Sequence, residues 1–374
     1  MITKILVLSI LLNGVYSYLD DQCDLIENIL KRHGYAYELH NVLTEDKFNL
    51  GVFRITGKIG SEIEENKPAI VMQHGINASP NSFVSNGKSS IAFYFADRGF
   101  DVWMPSARGT YYSRKNDNLS PDDKKYWDYS FEDLGMKDTK AYLEYIYNIK
   151  KKKVFYLGFS QGFMQIMAAF SLDPEFFRER LEKIVGWGPV TRVDLSTNVW
   201  LAFISYIKLW PLITLDNILG IVHTPVFTKE ACMSSYRSCS YFRPFCRFKT
   251  MFNAEFRPYN NNPYYASGKD ASSVKCLQHI IYNLYEGGFF RFPSNESEER
   301  VPYDLKQITI PLGLFVGEND MLAPPANAKW LAEVFEDHKN FTLFGTYEYL
   351  GHFTFVAGYT QFQHYTDTYN FLMS

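Results

Sequence analysis

The stretch Val154-Phe155-Tyr156-Leu157-Gly158-Phe159-Ser160-Gln161-Gly162 decides how this chain is read. It starts with four apolar residues, the mark of a short buried strand. It closes on Gly-x-Ser-x-Gly and runs into Phe163-Met164-Gln165-Ile166-Met167-Ala168-Ala169-Phe170, which is helix-forming material. A serine at the tip of a strand-turn-helix is held on a strained backbone with its hydroxyl exposed. Gly158 and Gly162 supply clearance, because a Cβ at either place would meet the neighbouring strand or helix. The helix that follows turns its positive end toward the serine, where it can steady a developing negative charge. Gly-x-Ser-x-Gly also occurs by chance in long chains; here the flanking strand and helix give it weight.

A serine hydroxyl is a weak nucleophile. It needs a base within hydrogen-bond reach, and the base needs an acid to fix its tautomer. Where a serine occupies such a turn, the acid and then the histidine follow it in the chain. Asp320 stands just past the strand-like run 308–316, and His352 lies in the loop after the last strand-like run, 340–344. Both then fall at the sheet edge that carries Ser160. Glu318 shares the loop with Asp320 and is the alternative acid. His338 and His364 fit a helix end and a helix interior. His33, His40, His74, His223 and His279 precede Ser160 or fall outside the regular strand pattern. Two backbone N–H groups are needed for the oxyanion. Gln161 supplies one, and Ile76, in the loop after the strand Ala-Ile-Val-Met-Gln at 69–73, is the best placed for the other. His74 reads as a structural residue that orients this loop. No ligand spacing for a metal and no glycine-rich phosphate loop is seen, so no cofactor is expected.

Working outward, strands are expected at 50–57, 69–73, 100–104, 183–190, 308–316 and 340–344. Helices are expected at 20–32, 90–98, 131–149, 325–335 and 361–372. The alternation implies an α/β protein, with a mostly parallel central sheet and helices on both faces. The rhythm breaks after residue 191. Residues 199–227 are rich in Trp, Phe, Tyr, Leu and Ile, and a cysteine cluster and a Tyr/Asn-rich loop follow. Residues 192–304 are therefore read as a mainly helical cap inserted between a first core part, 18–191, and a second, 305–374. The segment 199–227 is interrupted by Lys208, Pro211 and Asp216, which makes it a poor membrane span. So much apolar surface normally marks a binding site, the alternative being that these residues simply pack the cap onto the sheet.

The chain has 374 residues, 46% hydrophobic and 17% aromatic, which is enough for a large core with an insertion. A formal net charge of -3 gives nucleic acid no electrostatic footing. The basic run Lys150 to Lys153 reads as a solvated face at a helix end. Residues 1–17 have the order of a secretory signal: Lys4, the apolar run 5–12, then Val15-Tyr16-Ser17 as a cleavage site. The mature chain would begin near Tyr18 and hold no transmembrane segment. An oxidising compartment permits disulfides, but the five cysteines, Cys23, Cys232, Cys239, Cys246 and Cys276, are odd in number, and spacing leaves the pairing open. Sequons occur at Asn77, Asn118, Asn295 and Asn340. Asn295, in a polar stretch, is the best acceptor, since Pro follows the first two sequons.

At this point a family likeness becomes visible. His33-Gly34-Tyr35 with Thr44-Glu45-Asp46, Val71-Met72-Gln73-His74-Gly75-Ile76, Asp101-Val102-Trp103, Ser106-Ala107-Arg108-Gly109, Tyr112-Ser113-Arg114 and Trp127-Asp128-Tyr129-Ser130 stand in order. From about Leu25 onward the chain resembles the acid lipases, the gastric and lysosomal lipases of the α/β-hydrolase fold. Where that family has His before the nucleophile, Phe159 stands here. Where its acid motif ends in a second Asp, Pro324 stands here; its triad aspartate matches Asp320, and Leu350-Gly351-His352-Phe353 fits its histidine loop. The resemblance implies a secreted or lysosomal lipase acting on neutral lipids, acylglycerols or steryl esters, at a lipid-water interface. It also implies a lid and a disulfide in the cap, with Cys246 near one partner's place. A carboxylesterase for short soluble esters, or a catalytically silent lipid-binding protein on the same fold, would fit the same core. The intact Ser, Asp and His set speaks against the silent binder.

Overall fold

The computed structural model describes residues 24–197, 222–224, 270–293, 299–337, 343–356 and 363–374. The proposed signal segment, Cys23, Cys232, Cys239, Cys246, the sequons at 295 and 340, His338, and the lid segment 199–227 except 222–224 lie outside these residues.

After helix α1 (Ile26–Arg32), strands β1 (Tyr35–Leu43) and β2 (Phe48–Lys58) form an antiparallel hairpin. Then come β3 (Ala69–Gln73), helix α2 (Ile91–Ala96), β4 (Asp101–Pro105) and the short β5 (Lys115–Asn116). A long helix, α3, covers 131–150. Its middle, Leu134–Thr139, is wound as a π-helix between Phe131–Asp133 and Lys140–Lys150. β6 (Val154–Phe159), α4 (Gln161–Leu172), α5 (Pro174–Arg180) and β7 (Leu181–Trp187) follow. Later come α6 (Val274–Glu286), β8 (Leu312–Gly317), α7 (Pro325–Val334), β9 (Leu343–Tyr347) and α8 (Gln363–Met373).

These strands form one sheet in the order β1-β2-β4-β3-β6-β7-β8-β9, with β5 on β2. From β4 to β9 the pairings are parallel; β2 joins β1 and β4 antiparallel. The parallel strands are mostly apolar because both faces are covered, with polar residues at or near their ends, such as Asp101, Gln73 and Glu182. Successive residues alternate between two cores. Val71, Tyr156 and Ile184 pack with α3, α4 and α5, while Ile70, Leu157 and Val185 pack with α1, α2 and α8. Helices on both faces, as the sequence predicts, are what bury these strands.

Several expectations shift. The first strand-like run after Pro311 is the strand; residues 308–310 stay outside it, and proline at 311 cannot donate to a ladder. The described part of the last strand, Leu343–Tyr347, paired with β8, runs past the expected end at 344. The sequence pattern marks none of β1, β5 and α5. β1 is half exposed and of mixed polarity, so no clean alternation marks it; pairing with β2 makes it a strand. Lys151, Lys152 and Lys153 are exposed as expected, but Lys150 is not on a solvated face. Its Nζ donates to Asp101 Oδ2 at 2.7 Å and to Glu65 O at 2.7 Å, and Asp101 also accepts two bonds from Arg54. A buried carboxylate between two cations outbids solvent for that lysine. Among the described residues, no helix is long and apolar enough to cross a membrane.

Candidate active site

β6 ends against a tight, strained turn. Ser160 has φ 56° and ψ -119°, a conformation L-residues avoid, and it passes at once into α4. The surroundings hold it there. Ser160 N donates to Trp187 O on β7, and its carbonyl accepts from Phe163 N and Met164 N in α4. A Cβ on Gly158 would lie 2.6 Å from Phe163 N, and one on Gly162 would lie 2.3 Å from Gln73 O at the end of β3. The turn can therefore close only with glycine at both places. Tyr156 adds a hydroxyl bond to Gly162 O at 2.8 Å.

The loops after β8 and β9 are tied together by Glu318 N to Tyr347 O, Asn319 N to Leu350 O and Asn319 Nδ2 to Glu348 O. This brings Asp320 and His352, 32 positions apart, face to face. His352 Nδ1 is 2.8 Å from Asp320 Oδ2, and His352 Nε2 is 2.8 Å from Ser160 Oγ. A carboxylate only accepts, so the proton is assigned to Nδ1 and Nε2 is left to accept from the serine hydroxyl. The other oxygen, Asp320 Oδ1, accepts from Leu322 N and Ala323 N, which fixes the carboxylate plane. Ser160, Asp320 and His352 are all buried. Glu318, the alternative acid, is exposed.

The sequence-predicted oxyanion donors flank the serine. Gln161 is the first residue of α4, and the first N–H groups of a helix have no partner within it. The loop of Ile76 lies against the nucleophile: a Cβ on Gly75 would be 3.1 Å from Ser160 Cβ and 3.5 Å from its Oγ. His74 anchors this loop as foreseen. Its Nε2 accepts from Ala107 N at 3.1 Å, and its Nδ1 is 2.9 Å from Gly75 O. Only the neutral ring can serve both bonds. Burial holds it neutral, depressing its pKa to about 4.

The remaining histidines have other tasks. His40 meets Glu38 and Tyr145, His364 Nε2 bonds Phe355 O, His279 Nε2 bonds Phe290 O and stacks on Phe131, His223 stacks on Trp127, and His33 lies near Phe93. The sequence marks neither Gly188 as a site residue nor the place of Phe159 beside the histidine, although it does show Phe159 just before the nucleophile. Gly188 (φ +50°) follows β7, and a Cβ there would sit 3.0 Å from His352 Nδ1 and 3.1 Å from Asp320 Oδ2. Phe159 lies with its ring centroid 5.2 Å from that of His352 and walls its ring. A glycine at the C-terminal end of a strand beside the nucleophile strand was the one available signal.

Residues 68–355 match the α/β hydrolase fold family, and residues 26–87 match the partial α/β-hydrolase lipase region. The gastric triacylglycerol lipase of Rattus norvegicus is 30% identical over 82% of this chain and 81% of its own length. The chain belongs to the α/β-hydrolase lipases. Lipase member N of Mus musculus is 27% identical over 88% of this chain and 85% of that one. An esterase from Exiguobacterium antarcticum superposes with a TM-score of 0.52 at 16% identity, over 89% of this chain and 99% of that one, a likeness of fold. This lipase is a carboxylic ester hydrolase.

Proposed function

We propose that this lipase cleaves carboxylic esters of neutral lipids through an acyl-enzyme on Ser160. His352 Nε2 takes the hydroxyl proton as Ser160 Oγ attacks the ester carbonyl. Asp320 stabilises the imidazolium and keeps its orientation. The N–H groups of Ile76 and Gln161 receive the oxyanion. His352 then hands its proton to the leaving alcohol, and water, deprotonated by the same imidazole, releases the fatty acid. The observation that carries this reading is the unbroken chain Ser160 Oγ, His352, Asp320, with 2.8 Å at each contact. The similarity to a gastric triacylglycerol lipase supports an acylglycerol as substrate, presented at a lipid-water interface, with a steryl ester the other neutral lipid to test. The charge-then-apolar order of residues 1–17 supports export through an N-terminal signal. Residues 192–304 would be the cap over the site.

The test is Ser160→Ala in the purified protein. Hydrolysis should fall by several orders of magnitude and fluorophosphonate labelling should vanish while the fold persists. Retained turnover would remove Ser160 from the role. Rates on one ester followed across its solubility limit separate the lipid reading from a soluble-ester esterase: the lipid reading requires a rise on aggregation.

A further inference from the structure

Between the anchored His74 and the rest of the loop, the backbone of Ile76 is gripped a second time, from the far side. Asn77 adopts a left-handed conformation, φ 53°, which asparagine tolerates better than most residues. Its side-chain Oδ1 accepts from Thr224 Oγ1 at 2.8 Å, and its carbonyl accepts from Asp270 N at 2.9 Å. Thr224 and Asp270 both come from the long stretch between β7 and β8. They are themselves locked together: Ser272 N donates to Thr224 Oγ1, and Thr224 N donates to Ser272 O. Asp270 in turn accepts through Oδ2 from Tyr111 N, in the loop after β4. His74, on the upstream side, is bonded to Ala107 in that same loop.

We propose that Asn77, held by Thr224 and Asp270, is a positioning residue for the oxyanion hole and couples the inserted segment to it. Only Gly75 and Ile76 separate the two anchors, and planar peptides leave each residue two soft dihedrals. With His74 and Asn77 both fixed, the Ile76 N–H has little room to turn. An oxyanion donor must lie within hydrogen-bond distance of where the charge develops, and small misplacements are expensive in rate. The inference rests on the assignment of the Ile76 N–H as an oxyanion donor.

The test uses the full-length lipase, a dissolved p-nitrophenyl ester, and an alkylboronic acid that forms a tetrahedral adduct on serine. Asn77→Gly keeps the left-handed backbone and deletes the acceptor; Thr224→Val deletes the donor at constant shape. Each should lower kcat about 10-fold and weaken the boronic acid by a similar factor with little change in KM. Thr224→Ser should recover most of the loss. The double variant should be little worse in kcat than Thr224→Val alone, since Asn77→Gly removes a side-chain bond that Thr224→Val has already removed together with the acceptor of Ser272 N. Unchanged kcat and boronic acid affinity in Asn77→Gly and Thr224→Val, whatever happens to Tm, would make the contact a mere anchor of the insertion and overturn the proposal. Ser160→Ala in the same assay separates the two failures: turnover surviving there sinks the nucleophile assignment, not the clamp.

Discussion

At the scale of single residues, the acid of the proposed triad is chosen by burial and reach. Asp320 touches His352 Nδ1, whereas Glu318 points into solvent from the same turn. Asp320→Asn should cost about 10⁴ in turnover by holding the wrong tautomer. Glu318→Gln should change turnover little. Steady-state rates of the two variants decide it, and the opposite ranking would move the acid. Two buried histidines give a separate pH expectation. Loss of hydration lowers the pKa of His74 and of His279 to about 4, from 6.5 when exposed. The unfolded chain therefore binds protons at these sites from pH 6.5 downward, and the folded one does not until about 4. Stability is complete above 6.5 and declines as pH falls toward 4, by ~3 kcal/mol per histidine. His279 lies away from Ser160, so His279→Gln should flatten the fall of Tm between pH 6.5 and 4. An unchanged slope would show that His279 carries none of it.

At the scale of elements, α3 and α4 approach so closely that one position admits only glycine. A Cβ on Gly135 would lie 2.4 Å from Gln165 O and 2.7 Å from Ala169 Cβ. On an isolated helix Gly→Ala would stabilise by about 1 kcal/mol. Here overpacking should win, and Gly135→Ala should destabilise by about 1–3 kcal/mol, read from denaturant midpoints. A gain in stability would mean that the two helices can part. The π-wound segment of α3 serves the same neighbourhood. It carries Asp138, whose carboxylate takes bonds from both the backbone and the guanidinium of Arg108, in the loop after β4. The sequence showed an amphipathic helix at 131–149 but not this widened turn, since nothing in the periodicity marks where a helix takes in one more residue.

At the scale of the whole molecule, Asp101 joins three elements. It binds Arg54 of β2 and Lys150 at the end of α3 from its own place at the start of β4. Asp101→Ala would leave Lys150 with only the Glu65 carbonyl and Arg54 with only the part-exposed Glu38, and should destabilise by about 3–5 kcal/mol. Chemical unfolding tests this, and a loss below ~1 kcal/mol would show that water relieves the charges. By itself the sequence determined the α/β class, and it pointed to the elbow at Ser160, to the proposed triad order Ser160, Asp320, His352, and to the loop of Ile76. Each of these is built from local signals: strand-length apolar runs, paired glycines and turn residues carry their meaning within about ten positions, and chain order then strings them together. It did not determine that Lys150 is buried, that β1 joins the sheet, that Gly188 clears space for the His352–Asp320 contact, or that Thr224 and Asp270 grip Asn77. The contacts of Lys150, Gly188 and Asn77 reach groups between 49 and 193 residues away in the chain, and β1 needs a partner strand 6 to 23 residues on. Only packing the sheet and closing its loops brings such groups together, because hydrogen bonds and excluded volume act over a few ångströms of space and carry no record of distance along the chain.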